Sequence, residues 1–112
     1  MNTEAIYSKS DLEKLLKSEN KKEIIDFLLY IGINETDAEW AQDVCISFSS
    51  HKDEDISGLA ITCIGHSARI NRATNKERVI SFLKEKLNDP RLSGRAQDAI
   101  DDIDIFVKDA SP

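Results

Sequence analysis

The chain has 112 residues, of which 40% are hydrophobic and 32% are charged. This length and composition are typical of one globular domain with a single core, and they exclude a disordered chain. The net charge of −6 disfavours a nucleic acid or an anionic membrane as partner and favours a basic one. The most apolar segment, residues 24–33, contains Asp26 and is far shorter than the roughly 20 residues of a membrane-spanning helix.

Cysteine usage and the first residues favour the cytoplasm. No apolar run resembling a secretory signal occurs before Lys9. Cys45 and Cys63 both fall inside apolar helical patterns, where a reduced cysteine behaves as a small hydrophobic residue. We therefore expect a cytoplasmic protein with free thiols. We expect a flexible arm over residues 1–9, one helical domain over residues 10–108 and a tail over residues 109–112.

Apolar residues recur at helical spacing along the chain, and no segment alternates with period two. Four helix starts are predicted by capping-box patterns, in which the first residue of each caps the helix: Ser10–Glu13, Asn20–Glu23, Thr36–Glu39 and Thr74–Glu77. Two more helices are predicted to start at Asp53 and at Asp89, where Pro90 suits the first helical position. Gly32 is predicted to end the second helix with a left-handed cap. The sequence therefore predicts an all-α fold of six helices.

The pattern of residues 53–67 is repeated in residues 89–103 at an offset of 36. The apolar stripes of the third and fifth helices match at an offset of 35, with Val44 and Phe48 on Val79 and Leu83. Repeats of this length predict a short right-handed α-solenoid of about three helical hairpins. The repeat aligns Gly58 with Gly94, although a glycine inside a helix costs about 1 kcal/mol relative to alanine. Either another backbone approaches both positions, or the glycines were retained by chance after a duplication.

The last helix resembles the second helix of a HEAT repeat, through Asp89-Pro90-Arg91 with Arg95 and the small apolar residues Ala96, Ala99 and Ile100. The resemblance implies an Asp–Arg ladder between repeats, which is incomplete because Leu59 stands where the first copy would need arginine. In size, acidity and helical pattern, the chain is also similar to the immunity proteins of bacterial contact-dependent growth inhibition (CDI) systems. Several of those are short helical proteins that neutralise a toxin domain, often a nuclease.

Charge is unevenly distributed along the sequence. Residues 35–55 carry a net charge of −6 and residues 97–112 a net charge of −4, whereas residues 66–95 carry +5. The acidic stretches are either a solvated face that complements helix dipoles or a surface that enters the phosphate-binding cleft of a basic nuclease. Asp98, Asp101 and Asp102 are expected to face away from the apolar stripe of the last helix. The candidate partner-binding residues are Glu39, Trp40, Asp43, Asp53, Glu54, Asp55, Asp98, Asp101 and Asp102.

Trp40, the only tryptophan, fits either the core stripe of its helix or an exposed anchor for a partner. Cys63 and His66 lie three residues apart, but the spacing of Cys45 and His51 matches no zinc site. A thiolate at Cys63 is also disfavoured, because that position lies on the apolar stripe. We therefore expect no catalytic residue, no cofactor and no metal.

The resemblance to CDI immunity proteins implies a non-enzymatic protein that covers the active site of a toxin domain, such as an RNase, with an acidic surface. The alternative is a non-catalytic HEAT-like scaffold or adaptor in another assembly. A HEAT-like enzyme, such as a DNA glycosylase or a lyase acting on a bilin, is a further possibility. A glycosylase would present a basic concave face, and the net charge argues against it.

Overall fold

The computed structural model describes residues 7–72 and 75–107. Its six helices are α1 (Asp11–Leu16), α2 (Lys21–Asn34), α3 (Ala38–Phe48), α4 (Glu54–Asn71), α5 (Lys76–Lys86) and α6 (Ser93–Phe106). No strand occurs in these two ranges, and the prediction of an all-α fold with six helices is confirmed. Over the same ranges, none of the helices combines the length and the apolar character needed to cross a membrane.

The helices form two layers. In the inner layer, α4 packs between α2 and α6, while in the outer layer α3 packs on α4 and α2, and α5 packs on α6. The molecule measures 38 × 36 × 19 Å, and its smallest dimension matches two helix layers about 8–10 Å apart. This arrangement is compatible with the predicted solenoid.

The core follows the predicted apolar stripes of the outer helices. Val44 and Phe48 of α3 are fully buried, and so are Val79 and Leu83 at the matching positions of α5. Phe27 of α2 is also fully buried, and its ring lies 4.8 Å from Tyr7 and 6.1 Å from Phe48, centroid to centroid. The repeat seen in the sequence is therefore reproduced as equivalent core positions.

Two glycines mark the closest approaches within the inner layer. A Cβ atom on Gly32 would lie 2.9 Å from Cys63 Sγ and 3.5 Å from Cys63 Cα. A Cβ atom on Gly65 would lie 3.2 Å from Ala99 Cα. Cys63 and Ala99 occupy matching positions of the repeat, so α2 meets α4 in the same way as α4 meets α6. The prediction that Gly32 ends α2 is wrong, because the helix continues to Asn34 and glycine is needed there for packing.

Of the two interpretations of Gly58 and Gly94, the approach of another backbone to both positions is wrong. A Cβ atom on Gly58 would lie 2.8 Å from Arg95 Nε, so a side chain approaches this position and not a backbone. Nothing lies within 4 Å of the corresponding point at Gly94. The two positions match in sequence but have different surroundings.

Helix caps were predicted correctly for α2 and one residue too early for α3 and α5. Asn20 accepts a hydrogen bond from the Glu23 N–H at 3.1 Å, as predicted. Asp37 accepts one from the Trp40 N–H, and Asn75 is the cap of α5. Asp and Asn rank above Thr as caps, which explains the shift from a Thr to its neighbour in both patterns. Ser10 makes no side-chain cap bond.

The start of α6 lies three residues later than predicted. The Asp89 carboxylate accepts a hydrogen bond from the Arg91 N–H at 2.9 Å, and the Asp89 carbonyl accepts from the Ser93 N–H at 2.8 Å. Residues 89–92 are a turn in which Pro90 is not helical, and α6 begins at Ser93. Asp89 therefore caps a turn that leads into the helix.

Ala96 of α6 is fully buried, so a larger side chain at this position must displace its neighbours. We expect Ala96→Leu to lower the free energy of unfolding by about 1–3 kcal/mol, measured by urea denaturation. Gln97→Leu, at the exposed neighbouring position, is expected to change it by less than about 0.5 kcal/mol. Equal stability of the two variants would contradict the placement of Ala96 in the core.

Candidate interaction surface

The nine predicted partner-binding residues fall into three groups on three helices. Glu39, Trp40 and Asp43 lie on α3, and residues 53–55 lie at the start of α4. Asp98, Asp101 and Asp102 lie on α6. The groups differ in whether their charges are already neutralised by other residues of this chain.

The group at the start of α4 is paired within the protein. Lys21 Nζ of α2 lies 3.1 Å from Asp53 Oδ2 and 2.7 Å from Asp55 Oδ2. The hydrogen bond with Lys21 holds the pKa of Asp53 below its usual value. Glu54, in contrast, is exposed and forms no ion pair within the described ranges. Lys21 thus pairs with two of the three carboxylates of this group, and its single charge leaves the group net negative.

The group on α3 is partly neutralised and partly packed. Asp43 Oδ1 lies 2.9 Å from Arg78 Nη1 of α5. Trp40 is half-buried, and its ring lies 6.4 Å from the ring of Phe27 at an interplanar angle of 69°. Its other surface remains open to solvent, while Glu39 is exposed. The structure therefore gives Trp40 a packing role and leaves part of the ring accessible.

The acidic row of α6, which is formed by Asp98, Asp101 and Asp102, lines one side of a groove of about 360 Å³. Thr62, His66 and Arg69 of α4 line the other side, and Arg95 of α6 lines the groove beside the acidic row. Within residues 7–72 and 75–107, no Lys or Arg forms an ion pair with these three carboxylates.

The members of the acidic row differ in their surroundings. Asp101 accepts a hydrogen bond from Gln97 Nε2 at 2.9 Å, whereas Asp98 is exposed. Asp102 does not face away from the packing surface as predicted: it is half-buried, and its Oδ2 atom lies 2.8 Å from the position that a Cβ on Gly65 would take. The absent side chain of Gly65 makes room for this carboxylate.

The Asp–Arg ladder implied by the HEAT resemblance is not formed by Arg95. Arg95 Nη1 donates to Thr62 Oγ1 of α4 at 2.8 Å, with its stem against Gly58. Asp89 pairs instead with Arg91 in its own turn, at 3.1 Å. Arg95 therefore connects α6 to α4 through a hydroxyl group.

The two cysteines are buried, free thiols in the core. Cys63 Sγ donates to the Leu28 carbonyl at 3.3 Å. The hydrogen bond between Cys63 and Cys45, together with the burial of Cys45, raises the pKa of the Cys45 thiol well above the ordinary value of a cysteine. Among the described residues, no group of three or more His, Cys, Asp and Glu side chains could hold a metal ion.

Sequence reasoning missed a second groove, at the ends of the inner helices. This apolar groove, of about 450 Å³, is lined by Ile33, Ile70 and Phe106 together with His66 and Arg69. His66 and Arg69 also line the groove with the acidic row, so the two form one continuous surface. Ile33 and Ile70 belong to apolar stretches, and periodicity alone does not distinguish them from core residues.

No family model and no curated protein matches the sequence. Among solved structures, a chain in the crystal structure of the CDI complex from Cupriavidus taiwanensis LMG 19424 has the same fold. The TM-score is 0.80 and the sequences are 30% identical, over 95% of this chain and 97% of that chain.

Proposed function

We propose that the protein is an immunity protein that binds and neutralises a cognate toxin domain, because it belongs to the same family as the matched chain of this CDI complex. The observation that carries the proposal is the similarity in fold and sequence, which extends over nearly the whole of both chains. The immunity protein acts by binding and has no catalytic activity of its own. It works in the bacterial cytoplasm, where it meets the toxin.

The chemistry of the partner follows from the charges that the chain leaves unpaired. The net charge is −6, and the acidic row of α6 has no cationic partner among the described residues. We propose that the toxin is a basic nuclease, such as an RNase, and that the acidic surface covers the cleft in which it holds phosphates. Complementary charge of this kind accelerates association and selects the partner.

The predicted site residues contribute unequally in this proposal. The acidic row makes the principal charged contacts, and Glu39 and Glu54 add exposed charges. Asp43, Asp53 and Asp55 contribute less, because they already pair with Arg78 and Lys21. Trp40 offers its open surface as an apolar contact, in keeping with the frequency of tryptophan among interface residues that dominate binding.

The test is co-expression with the product of the open reading frame immediately upstream of this gene, as the candidate toxin. We expect the immunity protein to restore growth of cells that produce this toxin and to co-purify with it. We expect the dissociation constant, measured with the purified proteins, to rise with salt concentration because charged contacts are screened. An unrelated nuclease toxin serves as the control and is expected to remain lethal and unbound.

Growth arrest in the presence of the protein, with no complex at low salt, would contradict the immunity proposal. Co-purification with a different, non-toxic assembly would favour the adaptor alternative. Neutralisation of a toxin without nuclease activity would support the immunity role and overturn the proposed partner chemistry.

A further inference from the structure

The apolar groove brings together apolar side chains from all three inner helices at a place that solvent reaches. Ile33 and Ile70 are 52% and 53% exposed, although both lie in helices whose other large apolar side chains are mostly buried. Phe106 of α6 is half-buried beside them. Exposed apolar side chains that line a concave surface and have a polar rim are typical of a protein-binding site.

Two arginines from α4 and its end form that rim. The Cζ atoms of Arg69 and Arg72 lie 5.5 Å and 5.4 Å from the centroid of the Phe106 ring. Within residues 7–72 and 75–107, neither arginine forms an ion pair with a carboxylate. Stacking on the ring fixes both guanidinium groups while leaving their charges for an external anion.

The backbone at Arg72 adds a second observation. Arg72 ends α4 with φ 52° and ψ 28°, and its N–H donates to the Ala68 carbonyl at 2.8 Å. Helices that end in this left-handed conformation usually have glycine there, because the Cβ atom of any other residue crowds the backbone carbonyl. At position 72, this backbone conformation is adopted by an arginine, and the side chain of that arginine reaches the Phe106 ring.

We infer that the apolar groove is the anchor site for the cognate toxin, an inference that rests on the proposed function. An apolar side chain of the toxin packs between Ile33, Ile70 and Phe106, and toxin carboxylates pair with Arg69 and Arg72. The acidic row, which joins the groove at His66 and Arg69, receives basic residues of the same toxin. The footprint thus has an apolar centre with a cationic edge and an anionic edge, which suits a protein surface of mixed charge.

Charge favours an external protein as the occupant of the groove. Arg69 and Arg72 form no ion pair with a carboxylate among residues 7–72 and 75–107, so both favour a partner that supplies carboxylates beside an apolar side chain.

The first test compares Ile70→Glu with the control Ile105→Glu, and its probe is the purified toxin domain that the co-expression test identifies. Ile105 is 63% exposed on α6 and does not line the groove. We expect Ile70→Glu to raise the dissociation constant at least about 30-fold, the size of effect typical of an anchor residue. Ile105→Glu is expected to change it less than about threefold, and both variants should keep the wild-type melting temperature.

The second test compares Arg72→Gly with Arg72→Ala. Both variants lose the guanidinium group, so we expect the same rise in the dissociation constant, of about tenfold. Glycine adopts the left-handed backbone at a lower cost than alanine, so Arg72→Gly is expected to melt at the higher temperature. Equal loss of binding with unequal stability would separate recognition by the side chain from a general loss of structure.

If the proposed function is wrong, the wild-type protein will not bind the toxin domain. If the wild type binds and Ile70→Glu binds equally well, the groove is not the anchor site. Two further outcomes would overturn the inference by revealing another occupant. One is a wild-type dimer that Ile70→Glu dissociates with toxin affinity unchanged. The other is a fall of several degrees in the melting temperature of Ile70→Glu at unchanged affinity, which would indicate a segment of the chain itself.

Discussion

Replacement of the acidic row by asparagine, in the triple variant Asp98→Asn, Asp101→Asn and Asp102→Asn, is expected to slow association with the toxin by about 10- to 100-fold at low salt. The three carboxylates form no ion pair in the described ranges, so under the proposed function their charges are available to a basic toxin. Asparagine preserves their shape, including that of Asp102 beside Gly65, and we expect no loss of stability. Stopped-flow mixing with the purified toxin domain measures the rate.

The matched control changes the net charge by the same amount elsewhere. Glu13, Glu19 and Glu23 are exposed at α1 and the start of α2, and no ion pair involves them among the described residues. Their replacement by glutamine is expected to slow association less than about threefold. Equal slowing by both triple variants would assign the effect to net charge and contradict a specific role of the acidic row.

The helices and the core could be predicted from the sequence because they depend on local spacing. The 3–4 periodicity placed Val44, Phe48, Val79 and Leu83 in the core, where all four are fully buried. Local rules were less reliable at helix ends: the cap of α3 is Asp37 and not Thr36, since two suitable residues stand side by side. Local spacing decides which face of a helix is buried, and competition between neighbours decides where the helix starts.

The surface was harder to predict because it depends on contacts between distant residues. Lys21 pairs with Asp53 and Asp55, more than 30 residues later, and nothing in a local pattern reveals this neutralisation. Ile70 lies seven residues after the buried Cys63 and should share its face, yet it is 53% exposed in the last turn of α4. Periodicity along one helix does not show where the neighbouring helices end.

Phe27→Ala is expected to lower the free energy of unfolding by about 3–5 kcal/mol, the usual loss for a fully buried phenylalanine. The Phe27 side chain has no solvent exposure and contacts the rings of Tyr7, Trp40 and Phe48. Its removal would leave a cavity between α2 and α3 that these rings fill only in part. The only tryptophan, Trp40, lies beside the site, so its fluorescence reports the unfolding transition in urea.

Phe82→Ala on α5 is the control for this prediction, because Phe82 is only half-buried and its ring contacts Lys86. It is expected to lose clearly less stability than Phe27→Ala, and equal losses would contradict the assignment of Phe27 to the centre of the core. A protein of this size is typically stable by about 5–15 kcal/mol, so Phe27→Ala is expected to lose a large part of the stability and, under the proposed function, to protect cells less well. For Phe27→Ala, the melting temperature and the protection of cells are expected to fall together. The acidic-row variant is expected to lose protection while it keeps the wild-type melting temperature. Measuring both quantities for both variants therefore separates stability from recognition.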